Sequence, residues 1–409
     1  MISRRQALGL GLGAAVVPLL GRSAAAAVPA SSGPVEWPVA RRGVLVDVGR
    51  KYFTVEWLQR LVRYSADLGL NELHLHFSEN ECVRIVSERH PEINDGRQYS
   101  RAEIAGLIGF AADLGVSIVP EFDMPGHMGA VLRAHPEFQL PNRFGSTLPT
   151  ALDITNESAL QLAENLLDDY AEVFPDSTHW NLGFDEFLGA VSIEGLYSNL
   201  DDRARQLYGP DATQHDLSTG IANRLAHRLQ AHGYIVSVWN DGMLRSPVVQ
   251  LSPDIVVHYW THSLPGQVPM RQFLDAGHTL VNFNDRQLYY VLGNSLVYPH
   301  PTAASILDSG WAPGHFSPML PLSAPGPIPL ELAGPQNLDG PPYPDQLAGA
   351  VFSIWCDTPS AQTEDEVFRD IAEPLAAFAL RCRDPRFSGT AADVADVARD
   401  AGSDRIAGH

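Results

Sequence analysis

Eight β-rich segments alternate with amphipathic helical patterns, and this alternation constrains the fold more than any other feature of the sequence. The segments predicted as strands are residues 43–49, 72–77, 117–123, 179–186, 235–241, 254–260, 279–284 and 349–357. Strands that alternate with helices pair in parallel, and eight such units predict a closed α/β barrel, the (β/α)8 or TIM barrel. An open doubly wound sheet is the alternative, but no glycine-rich phosphate-binding turn follows the first strand.

Capping residues mark where several helices begin. Ser100 with Glu103, and Thr363 with Glu366, have the spacing of a capping box. Asn156 stands where it can cap the helix that follows it. Apolar residues at helical spacing predict a further helix over residues 55–68, which ends at a glycine.

The predicted domain organisation is a leader, one barrel and a tail. Arg4 and Arg5 precede an apolar run over residues 7–20, and small residues follow at 24–27. This pattern is typical of a bacterial signal peptide of the twin-arginine type, and the run is shorter than the ~20 residues of a membrane span. We therefore expect residues 1–30 to direct secretion, residues 38–383 to form the barrel, and residues 384–409 to form a loosely packed tail.

A long segment rich in proline and glycine, residues 293–340, interrupts the alternation between the seventh and eighth strands. Loops in this position of a barrel contribute to active sites, but a plain surface insertion explains the segment equally well. Both interpretations stay open at the level of sequence.

Composition excludes several classes of partner. The chain has 28 basic and 48 acidic side chains, a formal charge of −20, so nucleic acid and anionic membrane surfaces are not expected partners. A hydrophobic content of 45% is that of a globular protein. The three cysteines, Cys82, Cys356 and Cys382, are too scattered for a disulfide scaffold or a zinc site, and three free thiols are favoured over one disulfide and one thiol. The oligomeric state is open.

Polar and aromatic residues follow the predicted strands, where barrel enzymes carry their catalytic groups. In chain order these residues are Arg50, His76 with Glu79, Asp123 with His127, Asp185 with Glu186, Trp239 with Asp241, Trp260, Asn284, and Trp355 with Asp357. Aromatic faces cover the C–H faces of a sugar, and carboxylates and arginine bind its hydroxyls. Three tryptophans at strand ends therefore favour a pocket for a neutral sugar ring, and neither a metal nor a cofactor is expected.

Asp185 and Glu186 are the most informative pair. Most retaining glycosidases place two carboxylates ~5–5.5 Å apart on opposite sides of the scissile bond. Neighbours on a strand diverge, so this pair is poorly suited to that arrangement. A different division of labour suits it better, in which Glu186 protonates the leaving oxygen while Asp185 orients a nucleophile supplied by the substrate.

The chain resembles family 20 of the glycoside hydrolases, the β-N-acetylhexosaminidases. The segments that carry the resemblance, in order, are RGVLVDVGR at 42–50, LHLH at 73–76, VPEFDMPGH at 119–127, LDITN at 152–156, LGFDE at 182–186, Trp239, Trp260 and WCD at 355–357. The resemblance implies a (β/α)8 barrel that removes terminal β-linked N-acetylhexosamine from glycans by substrate-assisted catalysis, an exception to the two-carboxylate rule.

The resemblance also implies a role for each site residue. Glu186 is the general acid and base, and Asp185 holds the acetamide nitrogen. Tyr289 or Tyr290, with a preference for Tyr289, binds the acetamide oxygen. The other implied roles are a wall around the N-acetyl group for Trp239, Trp260 and Trp355, binding of sugar hydroxyls for Arg42 and Asp357, and support of Glu186 for His127 and Asp123.

This chain departs from the family pattern at three places. The family's DDQGWR reads ENECVR at 79–84, so Glu79 is expected either to replace the aspartate that pairs with the histidine matched by His127 or to contribute to substrate binding. The family's W-x-E is W-x-D, which shortens a hydroxyl-binding acid. The small α+β domain that often precedes the barrel is not expected, because the first strand begins soon after the leader.

Three alternatives remain at this stage. His74 and His76 with Asp357 suggest a metal-dependent hydrolase, although Trp239 and Trp260 occupy strand ends where such a site needs histidines. The altered 79–84 segment suggests a catalytically silent carbohydrate-binding member. The long loop suggests an enzyme that removes a disaccharide, as lacto-N-biosidases of this family do.

Overall fold

A computed structural model describes residues 36–187, 195–263, 266–293, 298–319 and 334–403. The predicted leader at residues 1–30 and parts of the long loop lie outside the described residues. The chain forms a compact unit that begins at Trp37.

Eight parallel strands close into a barrel. They are β1 (Arg41–Asp47), β2 (Glu72–His76), β3 (Ser117–Met124), β4 (His179–Gly183), β5 (Ile235–Trp239), β6 (Val256–Tyr259), β7 (Leu280–Asn282) and β8 (Leu347–Trp355). Each strand pairs with the next, and β8 pairs back onto β1, where Arg42 lies opposite Ala350 and Val46 opposite Ile354. The predicted (β/α)8 barrel is confirmed, since an open sheet would leave β1 and β8 unpaired.

Helices and short strands surround the barrel. The helices are α1 (Val55–Asp67), α2 (Arg101–Asp113), α3 (Gly129–Ala134), α4 (Glu157–Ala171), α5 (Ser198–Tyr208), α6 (Gln214–Ala231), α7 (Met270–Asp275), α8 (Asp285–Leu288), α9 (Ala303–Asp308), α10 (Glu364–Arg383) and α11 (Ala391–Asp400). Short antiparallel pairs join Gln139–Pro141 to Thr147–Leu152 and His315–Met319 to Gly334–Asn337, while Tyr289–Val291 runs parallel to β8.

The predicted caps form as hydrogen bonds. Ser100 and Thr363 each make a complete capping box, with Glu103 and Glu366 respectively. The Asn156 side chain accepts a hydrogen bond from the Ser158 amide at the start of α4. These side chains satisfy backbone N–H groups that have no partner inside the helix, which is why the predicted starting points were accurate.

Alternation along the strands divides the core into two clusters. Val44 and Val46 of β1 pack outward against the helices, whereas Leu45 points into the barrel. The interior cluster joins Leu45 to Trp239, Trp260, Val256, Val281, Phe283, Tyr289, Val291 and Val351. Because the tryptophans belong to this cluster, the packed interior is also the floor of the site.

Two segments are more regular than the sequence predicts. The tail predicted as loosely packed contains α11, which has a capping box at Thr390 and buries Val394 and Ala398. The long loop contains α9 and a strand pair in its described part. Sequence periodicity did not reveal these elements, because short helices and short strands leave only a weak periodic pattern.

All three cysteines are buried free thiols, as favoured from the sequence. No helix in the described ranges is both long and apolar enough to cross a bilayer.

Candidate active site

A cleft of about 540 Å³ opens at the carboxyl ends of the barrel strands. Its lining comprises Arg50, His127, Asp185, Glu186, Trp239, Trp260, Tyr289, Val291, Tyr298, Trp355 and Asp357. The wall combines aromatic faces with convergent charged groups, as ligand-binding sites do. Most residues predicted for the site are therefore brought together in one place.

A break in the backbone turns Asp185 and Glu186 toward the same cleft. Strand β4 ends at Gly183, and Gly183, Phe184 and Glu186 all have positive φ values of 78°, 70° and 54°. A Cβ atom at Gly183 would lie 1.7 Å from Oδ1 of Asp123, so only glycine fits there. The expected divergence of strand neighbours does not apply, because the pair lies beyond the strand in a strained turn.

His127 connects the acid pair to the barrel wall. Its Nε2 lies 3.4 Å from Oε2 of Glu186 and 3.7 Å from Oδ2 of Asp185, and its Nδ1 bonds to the carboxylate of Glu79. Burial alone would lower the pKa of His127, but the surrounding carboxylates, Asp185 first, raise it well above its usual value. This environment favours the protonated, cationic form of His127.

Glu79 acts through His127 and Arg50. Its side chain is fully buried, bonds to both residues and is not part of the cleft lining. Burial would raise the pKa of Glu79, but His127 and Arg50 lower it to about 2. Substrate binding by Glu79 is thus a wrong assignment, whereas the expected replacement of the family's aspartate beside His127 is what the structure contains.

Arg42 does not reach the cleft, which corrects its predicted role. It lies at the start of β1, where its guanidinium donates to the carbonyl oxygens of Val39, Ala40 and Gly69 and stacks over Trp37. This is the amino end of the strand, and only the carboxyl ends face the site.

Arg50, at the other end of the same motif, is the arginine of the cleft. Its guanidinium contacts Asp47 at 2.9 Å and Glu79 at 2.5 Å and lies 5.8 Å from the Trp355 ring. Burial would lower the pKa of Arg50, but Asp47 and Glu79 raise it, so the group stays charged. Asp357 shares this side of the cleft, as expected, and its carboxyl is exposed.

Asp123 contacts Asp185, whereas the resemblance to the family implied that it supports Glu186. The two carboxyl groups lie within hydrogen-bonding reach, and Oδ1 of Asp123 also accepts from the Phe184 amide at 3.3 Å. Burial and the neighbouring Asp185 raise the pKa of Asp123 well above its usual value. A protonated Asp123 can donate to an ionised Asp185, because two adjacent buried carboxylates do not both ionise.

Asp241 joins the acid pair to the tryptophan wall. Its carboxyl accepts from the Glu186 amide at 2.8 Å and from the Trp260 indole N–H at 3.0 Å. Burial, together with the charge of Asp185, raises the pKa of Asp241 to about 7. One buried side chain thus fixes both the general-acid candidate and an aromatic wall.

Asp241→Asn is expected to make stability less dependent on pH. In the unfolded chain Asp241 ionises near pH ~3.9, whereas in the folded protein it keeps its proton to about pH 7. The unfolding free energy of the wild type therefore falls as pH rises through this window, and the variant lacks that component. Urea unfolding between pH 4 and 8 measures it.

The asparagine also loses one of the two hydrogen bonds that Asp241 accepts, which lowers the unfolding free energy by the same amount at every pH. The informative quantity is therefore the slope of the unfolding free energy against pH. The exposed Asp211→Asn serves as the matched control. An Asp241→Asn difference from wild type that is the same at pH 4 and pH 7.5 would contradict the assignment.

Two of the three tryptophans, Trp239 and Trp260, are held by hydrogen bonds as well as by packing. The Trp239 indole N–H donates to Glu121 at 2.7 Å, and Trp239 and Trp355 lie with ring centroids 6.2 Å apart. The Trp260 and Tyr289 rings are nearly parallel, at 1° and 6.0 Å. Fixed rings need no ordering when a sugar binds, which lowers the entropic cost of binding.

Tyr289 lines the cleft and Tyr290 does not. Burial raises the pKa of Tyr289 well above its usual value, so its hydroxyl stays neutral and can donate a hydrogen bond. Tyr290 points the other way, bonding to Gln362 and Asp370 and stacking on His300. The two residues belong to one short strand, whose alternation sends neighbours to opposite sides.

His74 and His76, which suggested a metal-dependent hydrolase, lie inside the barrel on Glu121. Nε2 of His74 is 2.7 Å and Nδ1 of His76 is 3.1 Å from the Glu121 carboxylate. Among the described residues, no cluster of three ligand atoms includes Asp357. The three residues that motivated this alternative therefore do not converge.

The structure places in or beside the cleft four residues to which the sequence analysis gave no role. Arg50 and Asp241 were recognised at the ends of predicted strands, but no function was assigned to them. Glu121 lies within the VPEFDMPGH segment, where alternation along β3 predicts an inward side chain. Tyr298 comes from the long loop and carries no periodic signal.

The fold and the site together define a (β/α)8-barrel protein with an acidic, aromatic cleft of the kind that holds a sugar. Residues 40–318, more than half of the chain, match the family described as "Glycosyl hydrolase family 20, catalytic domain". The chain therefore belongs to that family, which confirms the resemblance inferred from its motifs.

Relatives and solved structures agree with this membership. The chain is 29% identical over 352 residues to the lacto-N-biosidase of Bifidobacterium bifidum (85% of this chain, 29% of the relative), and 23% identical over 339 residues to a β-hexosaminidase of Porphyromonas gingivalis (77% and 40%). It thus spans less than half of either relative. The chitobiase of Flavobacterium johnsoniae has the same fold, with a TM-score of 0.68 and 22% identity over 90% of this chain and 52% of that one.

Proposed function

We propose that this chain hydrolyses terminal β-linked N-acetylhexosamine from glycans with net retention, using the substrate's own acetamide as nucleophile. The observation that carries the proposal is the convergence of Asp185, Glu186 and Tyr289 on one tryptophan-walled cleft. A separate nucleophilic carboxylate is not needed in this mechanism.

The first step is binding of the terminal sugar in the cleft. Trp239, Trp260 and Trp355 cover its apolar faces and enclose the N-acetyl group. Arg50 and Asp357, on one side of the mouth, bind the ring hydroxyls. Both groups are charged donors or acceptors whose hydrogen bonds are stronger than neutral ones.

The second step is attack by the acetamide oxygen on the anomeric carbon. Asp185 accepts from the acetamide N–H and stabilises the positive charge that develops there, while the neutral Tyr289 hydroxyl donates to the acetamide oxygen. The glycosidic C–O bond breaks as the new C–O bond forms, and an oxazolinium results. A protonated Asp123 favours the ionised form of Asp185 by donating a hydrogen bond to it.

Glu186 supplies the proton for the leaving oxygen. The hydrogen bond from His127 lowers the pKa of Glu186, so in the free protein the shared proton resides mainly on His127. His127 and Glu186, whose nearest side-chain atoms are 3.4 Å apart, share one proton. As pH rises, the loss of this proton has a pKa that belongs to the pair and not to either residue alone. When the glycosidic oxygen is bound beside Glu186, the proton passes from His127 to Glu186, which then donates it to the leaving oxygen. The Glu186 carboxylate next activates a water molecule that opens the oxazolinium.

A second cavity beside Glu186 is suited to the leaving group. It measures about 450 Å³ and is lined by Asn80, Gly126, His127, Leu148, Thr150, Ala151, Glu186 and Phe187. Because Glu186 and His127 border both cavities, a bond cleaved at Glu186 has its sugar ring in the first and its leaving group in the second.

Release of a disaccharide is the second candidate. It is favoured by the similarity to a lacto-N-biosidase over 85% of this chain and by the exposed, shortened acid Asp357 at the mouth. A shorter acid leaves more room beside the ring hydroxyls for a further sugar.

A panel of nitrophenyl β-glycosides separates these activities. We expect N-acetylglucosaminide or N-acetylgalactosaminide to be cleaved at least ~10²-fold faster than the 2-hydroxy glucoside, because only an acetamide supplies the nucleophile. Faster release from the lacto-N-bioside than from either monosaccharide substrate would select the disaccharide activity. Binding of sugar without turnover of any substrate would identify a silent carbohydrate-binding member and reject both.

We also propose export through the twin-arginine leader. The pattern of residues 1–30 supports it. Replacement of Arg4 and Arg5 by lysine should retain the protein inside a producing bacterium, and unchanged export would contradict a twin-arginine signal.

A further inference from the structure

Two histidines and a glutamate meet on the surface away from the sugar cleft. Oε1 of Glu92 lies 2.9 Å from Nδ1 of His90 and 3.1 Å from Nε2 of His135. The three atoms all lie within 4.8 Å of one another. The imidazoles are 17% and 18% exposed, so an ion from solvent can reach them.

The spacing is close to that of a metal site. Zinc bonds to histidine nitrogen and carboxylate oxygen are ~2.0–2.2 Å long, which separates neighbouring ligands of a tetrahedron by ~3.3 Å. The two measured separations need to open by only a few tenths of an ångström. Two imidazoles and one carboxylate form a donor set that borderline metals such as Zn²⁺ prefer, with water completing the coordination.

The ligands are also oriented by their surroundings. The His135 ring stacks on Phe138 at 5.9 Å, and its second nitrogen lies 3.6 Å from Oε1 of Glu137. A carboxylate behind a ligating histidine is the usual way in which proteins fix the ring and its tautomer. The backbone amide of His90 donates a hydrogen bond to the Ser87 hydroxyl at 2.9 Å, which fixes the backbone at the second histidine of the cluster.

We propose that His90, Glu92 and His135 bind Zn²⁺ as three protein ligands, with water in the open position. The site joins two loops: the one after β2, which carries Glu79, and the one after β3, which carries His127. Fastening these loops stabilises the Glu79–His127 pair from outside the cleft. Binding of the ion does not rest on the hydrolytic activity proposed above.

Calorimetry and thermal unfolding of the chelator-treated full chain, prepared without a polyhistidine tag, test this site. We expect one Zn²⁺ to bind and to raise the unfolding temperature. The double variant His90→Ala/His135→Ala should bind at least ~10-fold more weakly and lose the temperature shift. Glu92→Gln, which keeps both imidazoles, should show an intermediate loss.

His232→Ala is the matched control, because His232 is a surface histidine 3.1 Å from a carboxylate, that of Asp168. It should bind Zn²⁺ like the wild type. The proposal is overturned if the wild type binds no Zn²⁺, or if the double variant binds equally tightly. Zn²⁺ can also be tested as an inhibitor of hydrolysis. If it inhibits the wild type and the double variant equally and binds both with the same affinity, the ion is bound at His127 in the cleft, and the proposed surface site is overturned.

Discussion

Glu186→Gln is expected to lower kcat/KM by at least ~10²-fold, the smallest loss typical of removing a general acid. Glutamine has nearly the same shape and keeps the backbone contact to Asp241, so the change removes the acid and base function of the side chain together with the charge that faces His127. The loss should be larger on a β-linked disaccharide than on a nitrophenyl glycoside, because nitrophenolate leaves readily without protonation. Steady-state kinetics on both substrates measure this contrast.

The matched control for this variant is Glu88→Gln, whose side chain is 69% exposed outside the cleft. It should leave both rates unchanged. Activity of Glu186→Gln within threefold of wild type on both substrates would remove Glu186 as the acid. An equal loss on the two substrates would indicate that the substitution disturbs the cleft and not proton transfer.

Asp185→Asn should lower kcat by about 10²-fold or more. Removing one preorganised polar group at a site of developing charge costs about 10²–10³-fold in comparable sites. Here the lost group is a negative charge beside the acetamide nitrogen, where the oxazolinium becomes positive. The amide cannot reproduce that charge, even though it preserves the contact to Asp123.

A thiazoline analogue of the oxazolinium tests the same assignment at equilibrium. The wild type should bind it far more tightly than N-acetylglucosamine, and Asp185→Asn should lose much of that difference. Asp169→Asn is a useful control, because Asp169 is also fully buried but pairs with Ser87 and Arg101 outside the cleft. It should lower stability and leave kcat unchanged. Undiminished thiazoline affinity in Asp185→Asn would contradict its role.

Local signals in the sequence were sufficient for the scaffold. Alternation of strands and helices predicted all eight barrel strands, and capping residues such as Ser100 and Thr363 predicted where helices begin. These features depend on neighbours along the chain, so they are readable without the fold. The tail helix α11 was missed because it is short and buries only Val394 and Ala398 among its residues.

Two of the corrections in the site concern pairs of residues that are close in the sequence, of which only one faces the cleft. Arg42 lies at the start of β1, whereas Arg50 follows its carboxyl end. Tyr289 and Tyr290 are neighbours, and strand alternation sends only the first into the cleft. Motif matching identifies such pairs without stating which member faces the site.

Strand periodicity and contiguous motifs are properties of the chain, so they were enough to predict the barrel, the family and the acid pair. How those groups act on one another becomes visible in the folded barrel. Asp123 supports Asp185, Glu79 supports His127, and Asp241 joins Glu186 to Trp260. The physical reason is that burial and short distances between charges set their pKa values, and both exist only after distant strands have closed the barrel.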